Sequence, residues 1–126
     1  MTELSSTFTW QEIVSQPGVW RATLESFEEQ REGLGAFLNR AEFERTVVLG
    51  CGSTHYLSQA AAATLTQRAG RPARAYPSSE LWLFPRALSA GRTLCLPISR
   101  SGATSETLYA VQQLRDRGAG PVRAST

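Results

Sequence analysis

Apolar positions along the chain follow two rhythms, and the alternation between them is the first clue to the fold. Over residues 17–40 they recur at helical spacing. Trp20, Leu24, Phe27, Leu34 and Leu38 lie three, four or seven apart and form one stripe, with Glu28, Glu29, Arg31 and Glu32 mostly off it. Two aromatics on that stripe imply that the helix packs on a sheet or on another subunit. Ahead of it, Thr9-Trp10-Gln11-Glu12 has the form of a capping box, a hydroxyl followed three residues later by glutamate. The short helix it opens is predicted to end near Gln16, because Pro17 lacks an N–H and restrains the residue before it.

The second rhythm begins with Thr46-Val47-Val48-Leu49-Gly50-Cys51-Gly52, a continuously apolar, β-branched run ending in glycines. A strand buried on both faces of a parallel sheet has this pattern. Residues 53–69 then predict a helix, rich in alanine and closed by Gly70 with Pro72 beyond it, and the alanines imply close packing onto a neighbour. A second short strand is predicted at residues 73–77. A less regular segment at residues 78–88 carries Leu81, Trp82, Leu83 and Phe84. Residues 93–98 form the third strand, and residues 104–117 a helix with Leu108, Val111 and Leu114 on one face, ended by Gly118. Strand and helix alternating at this spacing give a βαβ series with a parallel sheet. Pro121-Val122-Arg123-Ala124-Ser125-Thr126 reads as the opening of one further strand.

Composition narrows this picture. At 126 residues and 41% hydrophobic, the chain suffices for one domain with a real core and is too short for two. The net charge of +2 comes from acids and bases mixed along the chain, with no basic stripe, so a nucleic-acid partner is not expected. No apolar run approaches a membrane span, and residues 1–11 contain no signal-peptide core. Cys51 and Cys95 lie in or at the end of apolar runs, and are read as free thiols of a cytoplasmic protein rather than a disulfide.

Two strand ends carry candidate chemistry. Gly50-Cys51-Gly52-Ser53-Thr54 begins as a dinucleotide fingerprint does, but His55 stands where the third glycine belongs and no acidic residue ends the second strand. A nucleotide P-loop fails as well, since no Gly-Lys-Ser/Thr follows. What remains is a glycine turn that sets two hydroxyls at a helix N-terminus. Ser99-Arg100-Ser101-Gly102-Ala103-Thr104 repeats the design, with three hydroxyls and a guanidinium within six residues. Helix N-termini favour anions through their free N–H groups and dipole, so each loop suits a phosphate. Capping alone also accounts for either loop taken singly. His55, the sole histidine, is read as a capping or packing residue, Glu106 as an acid favoured by the helix dipole, and Trp82 and Phe84 as core or interface residues. No cluster of metal ligands is visible and no cofactor is implied.

Gly50-Cys51-Gly52-Ser53-Thr54 and Ser99-Arg100-Ser101-Gly102-Ala103-Thr104-Ser105-Glu106-Thr107 resemble the paired phosphosugar loops of the sugar isomerase (SIS) domain family. The lead-in Glu12-Ile13-Val14-Ser15-Gln16-Pro17 is similar to the segment before such domains in hexosamine-forming aminotransferases and in tagatose-6-phosphate-type isomerases and deaminases. The resemblance implies a three-layer α-β-α sandwich with a parallel, flavodoxin-like sheet, here truncated. It implies a helical segment at residues 1–42 and a partial SIS domain at residues 43–126. Carried over by position, it assigns phosphate binding to Ser53 and Thr54 in the first loop and to Ser99, Arg100, Ser101, Gly102 and Thr104 in the second. Ala103 departs from the acidic residue that many members have after the glycine.

The function so implied is binding of a hexose or amino-hexose 6-phosphate, as part of an aldose–ketose isomerase, deaminase or aminotransferase. The family's histidine and glutamate that move the proton correspond to positions beyond residue 126, so no residue of this chain is assigned to catalysis. A non-catalytic sensor or a purely structural α/β module is the alternative. An unfinished sheet edge and the apolar helix stripe imply a homo-oligomer.

Overall fold

Thr46, Val47, Val48 and Leu49 are stiff, β-branched or apolar, and the chain buries all four in the central strand of a parallel sheet. The structure, a computed structural model, describes residues 7–40, 42–88 and 91–117. Its elements are α1 (Phe8–Arg40), β1 (Arg45–Gly50), α2 (Ser53–Ala69), β2 (Ala73–Pro77), α3 (Ser78–Leu83), a 3₁₀ turn (Pro85–Ala87), β3 (Thr93–Pro97) and α4 (Ser105–Asp116). The chain divides between residues 41 and 42 into two units. The first contains α1, and the second contains the sheet with its helices.

The described strands lie in the order β2-β1-β3, all parallel. Val47 sits opposite Arg74 on one side and Cys95 on the other, and Leu49 opposite Tyr76 and Pro97. Side chains alternate between faces along a strand. Val47, Leu49, Tyr76 and Cys95 therefore share one face, where they pack with Leu81, Leu88, Ala110 and Leu114, and Val111 leans on the cluster. That face is covered by α3 and α4. Thr46, Val48 and Leu94 are buried on the other face, and α2 lies on β1 and β2 with Ser58 and Ala62 buried. The sheet is thus flanked by helices, as its continuous apolar strands demand. Each fully buried Val or Leu contributes roughly 1.5–3 kcal/mol of burial free energy.

Several boundaries differ from the sequence expectation. Thr7, not Thr9, caps α1: its hydroxyl accepts the Trp10 N–H at 3.3 Å and its carbonyl the Gln11 N–H at 3.1 Å. Thr9 already lies within that hydrogen-bonded turn and has no cap to form. The expected break at Gln16 does not occur, because α1 runs through Pro17 as one helix of 33 residues. Proline removes the bond to the carbonyl four residues back and crowds that carbonyl with its ring. Here that carbonyl belongs to Ile13, on an exposed helix with no buried residue.

In α4 the inward face is Thr107, Ala110 and Leu114 with Val111 beside them, while Leu108 is 53% exposed. The less regular segment at residues 78–88 resolves into α3 and the 3₁₀ turn. Phe84, expected in a core or an interface, is 66% exposed, and Trp82 stacks on Tyr109 with ring centroids 5.2 Å apart. The expected helix end at Gly118 and the strand at residues 121–126 lie outside the described residues.

Candidate functional site

In the order β2-β1-β3, the chain leaves β1 through α2 to one neighbour and then crosses back to the other. The reversal falls between β1 and β3. The connections therefore leave their carboxyl ends in opposite directions, which is where open α/β sheets form a ligand crevice. The two hydroxyl-rich loops begin at those two strand ends. The Ile98 N–H donates to the Leu49 carbonyl at 2.8 Å, extending the ladder one step beyond Pro97 and holding the loop bases together.

The first loop is shaped by close approach. A Cβ on Gly50 would press into the Thr54 carbonyl group and lie 2.6 Å from the His55 backbone nitrogen, so only glycine lets α2 start against the end of β1. Gly52, the residue before α2, takes φ 58° and ψ −126°, a conformation that side chains rarely adopt. Thr54 then closes the turn. Its hydroxyl oxygen accepts the Cys51 N–H at 2.9 Å and its proton goes to the Cys51 carbonyl, also at 2.9 Å. The Thr54 hydroxyl reaches a phosphate only in exchange for that carbonyl bond. Ser53, exposed at the first position of α2, has its hydroxyl proton uncommitted among the described residues.

In the second loop the hydroxyls are bonded to one another and to the backbone. Ser99 Oγ accepts the Gly102 N–H at 3.1 Å and shares a hydrogen bond with Thr104 Oγ1, also at 3.1 Å. Ser101 Oγ accepts the Ala103 N–H at 3.2 Å. Gly102 makes the turn at φ 68°. One proton is spent between Ser99 and Thr104, which leaves one proton from that pair and the Ser101 proton for a ligand. Each oxygen that accepts an N–H also polarises its own O–H.

Behind these hydroxyls stands the start of α4. Its first intrahelical bond runs from the Leu108 N–H to the Thr104 carbonyl, so the N–H groups of Ser105, Glu106 and Thr107 precede the ladder. Arg100 is exposed beside the loop, without an ion-pair partner among the described residues. Hydrogen bonds from such donors to a charged group are worth roughly 1.5–3 kcal/mol each, and the helix dipole adds about 0.3–1 kcal/mol.

The arrangement brings Ser99, Ser101, Gly102 and Thr104 into one bonded loop, and sets Ser53 and Thr54 at the end of the adjacent strand. Arg100 joins neither network. Three features lay beyond sequence reasoning: the closing bonds of Thr54, the close approach at Gly50, and a hydrogen bond between the buried hydroxyls of Ser78 and Thr107, 3.0 Å apart. Thr107 ends the second motif, and that position was the only signal of a role. Among the described residues His55 Nδ1 is buried without a hydrogen-bond partner, and Nε2 lies 3.3 Å from the Gln59 amide nitrogen. A groove of about 390 Å³ lies at the opposite end of the sheet, around Arg45, Thr46, Pro72 and Ala73. It is built on strand beginnings, away from both loops, and the crevice is the better candidate.

A parallel α/β sheet with hydroxyl loops at its switch point is the architecture of the SIS class. The sequence model of the SIS domain matches residues 40–123, and the chain belongs to that family. Among its relatives, glutamine–fructose-6-phosphate aminotransferase of Gloeobacter violaceus is 34% identical, over 88% of this chain and 19% of that protein. D-Galactosamine-6-phosphate deaminase AgaS of Escherichia coli is 28% identical, over 86% of this chain and 29% of that protein. The crystal structure of tagatose-6-phosphate ketose/aldose isomerase from Escherichia coli superposes with a TM-score of 0.85 at 24% identity, covering 98% of this chain and 35% of that one. The last likeness shows the fold. The chain thus spans between about a fifth and a third of these relatives, and it is an SIS domain related to sugar-phosphate isomerases and aminotransferases. No helix among the described residues is long and apolar enough to cross a membrane.

Proposed function

We propose that residues 43–126, preceded by the helical segment of residues 1–42, are part of a phosphosugar-binding domain whose ligand is a hexose or amino-hexose 6-phosphate. The observation that carries this reading is the pair of hydroxyl loops at the adjacent carboxyl ends of β1 and β3, on either side of the switch point. Ser53, Ser101 and the Ser99–Thr104 pair donate to the phosphate oxygens, Gly102 keeps the backbone close to them, and Arg100 supplies charge from the rim. Thr54 joins by giving up its bond to Cys51. The relatives' names support a part in aldose–ketose isomerisation or in amino-sugar-phosphate deamination and amino transfer. In this reading the chain anchors the phosphate and assigns no residue to proton transfer. A cytoplasmic site of action and self-association belong to the same proposal, the first supported by two unpaired thiols and the second by the exposed apolar stripe of α1.

Thermal denaturation with and without ligand tests it. Fructose 6-phosphate and glucosamine 6-phosphate raise the melting temperature, and free fructose and glucosamine do not. Replacing Ser99 and Ser101 together with alanine abolishes the rise. Full affinity in that double variant overturns the site assignment, and no shift with any phosphosugar leaves only a structural α/β module.

A further inference from the structure

We infer that Ser78 and Thr107 are positioning residues, whose buried hydrogen bond holds the start of α4 at the level of the first loop. The inference rests on the phosphosugar reading above. Ser78 is fully buried and Thr107 is 4% exposed. Their hydroxyl oxygens lie 3.0 Å apart, joining α3 to α4. Ser78 directly follows Pro77, which is in register with Gly50, so it lies level with the turn that starts the first loop. Thr107 is the third residue of α4, and its own N–H is one of the three that precede the helical ladder.

Apart from the half-exposed Trp82–Tyr109 ring stack, the other contacts of α4 with the core cluster are apolar, through Ala110, Val111 and Leu114. Such contacts are non-directional. They set how near the helix lies to the sheet but hold its position along its axis only loosely. A hydrogen bond constrains both distance and angle. The Ser78–Thr107 bond therefore sets the axial height of α4, and with it the height of the loop at residues 99–104 that runs into that helix. A phosphate gripped from two loops requires those heights to match.

The test uses the full chain and fructose 6-phosphate, with binding measured by calorimetry at a temperature where circular dichroism shows every variant folded. Thr107→Val keeps the shape and removes the hydroxyl. It weakens binding on the order of tenfold, the scale of loss expected when a site's donors shift by a fraction of an ångström. Thr107→Ser restores the affinity. In a Ser101→Ala background, Thr107→Val costs much less than in the wild type, because the loop it aligns has already lost a donor. Should Thr107→Val fail to fold, Ser78→Ala removes the far end of the same bond and is read in the same way. Unchanged affinity in the folded variant, or an equal loss in both backgrounds, overturns the positioning role while leaving the phosphosugar reading intact. A wild-type chain that binds no fructose 6-phosphate overturns both.

Discussion

Cys95 is fully buried, opposite Val47 on the face covered by α3 and α4. Burial pushes its thiol from 9.0 up to about 12, with the Arg115 guanidinium pulling weakly the other way. The folded state therefore holds this proton more tightly than the unfolded chain does. The resulting stability is complete below pH 9 and is lost as pH rises from about 9 towards 12, with a slope near 1.4 kcal/mol per pH unit within that window. Urea denaturation at pH 8 and pH 10.5 checks the sign, and Cys95→Ala flattens the difference. Both loops were legible at this scale because serine, threonine and glycine announce themselves by type. What each hydroxyl does was not. Thr54 and Ser53 are neighbours with the same functional group, yet one closes the Cys51 turn and the other keeps its proton, a difference set by backbone geometry.

Among the elements, α4 shows why helix faces were harder to read than helix positions. Its large residues suggested an inward stripe through Leu108, but the helix turns Thr107 and Ala110 to the core and leaves Leu108 mostly in water. Small side chains face inward where a helix lies close to a sheet, and a pattern search weighted by hydrophobicity passes over them. Leu114→Ala should therefore destabilise the protein by about 2–4 kcal/mol, whereas Leu108→Ala should change it by less than about 0.5 kcal/mol. Chemical denaturation of the two variants distinguishes the faces, and equal costs would contradict the packing. In α1 the apolar pattern continues on both sides of Pro17 and outweighs the proline as a guide to where the helix runs. Trp10, Ile13 and Val14 precede Pro17 in phase with Trp20, Leu24 and Phe27, and the helix follows the pattern. The strands are plainer in the sequence, because a continuous β-branched run permits few alternatives.

For the whole molecule, fold class and family were legible because the order of elements and both loops are local features. The neighbours of each strand, the register and the Ser78–Thr107 bond are closures through space, and a linear pattern does not specify them. Large apolar side chains remain exposed on both units: Trp20, Leu24 and Phe27 on α1, and Leu83, Phe84 and Leu108 around α3 and α4. The self-association proposed above predicts a light-scattering mass well above the 13.8 kDa of one chain. A sharp monomer peak at micromolar concentration refutes it. The pairing of β1 with β3 has a kinetic consequence. Arg45 Nε reaches Thr93 Oγ1 across 48 positions of sequence, and the whole of α2, β2 and α3 must be looped out before the two strands meet. Such non-local closure is slow to form compared with a helix or a turn. Each loop can nucleate within its own strand–helix unit, but the crevice exists only once that long loop has closed. The binding proposed above is therefore expected only after that closure, later in refolding than the return of helical signal, and stopped-flow circular dichroism run beside ligand binding checks the order.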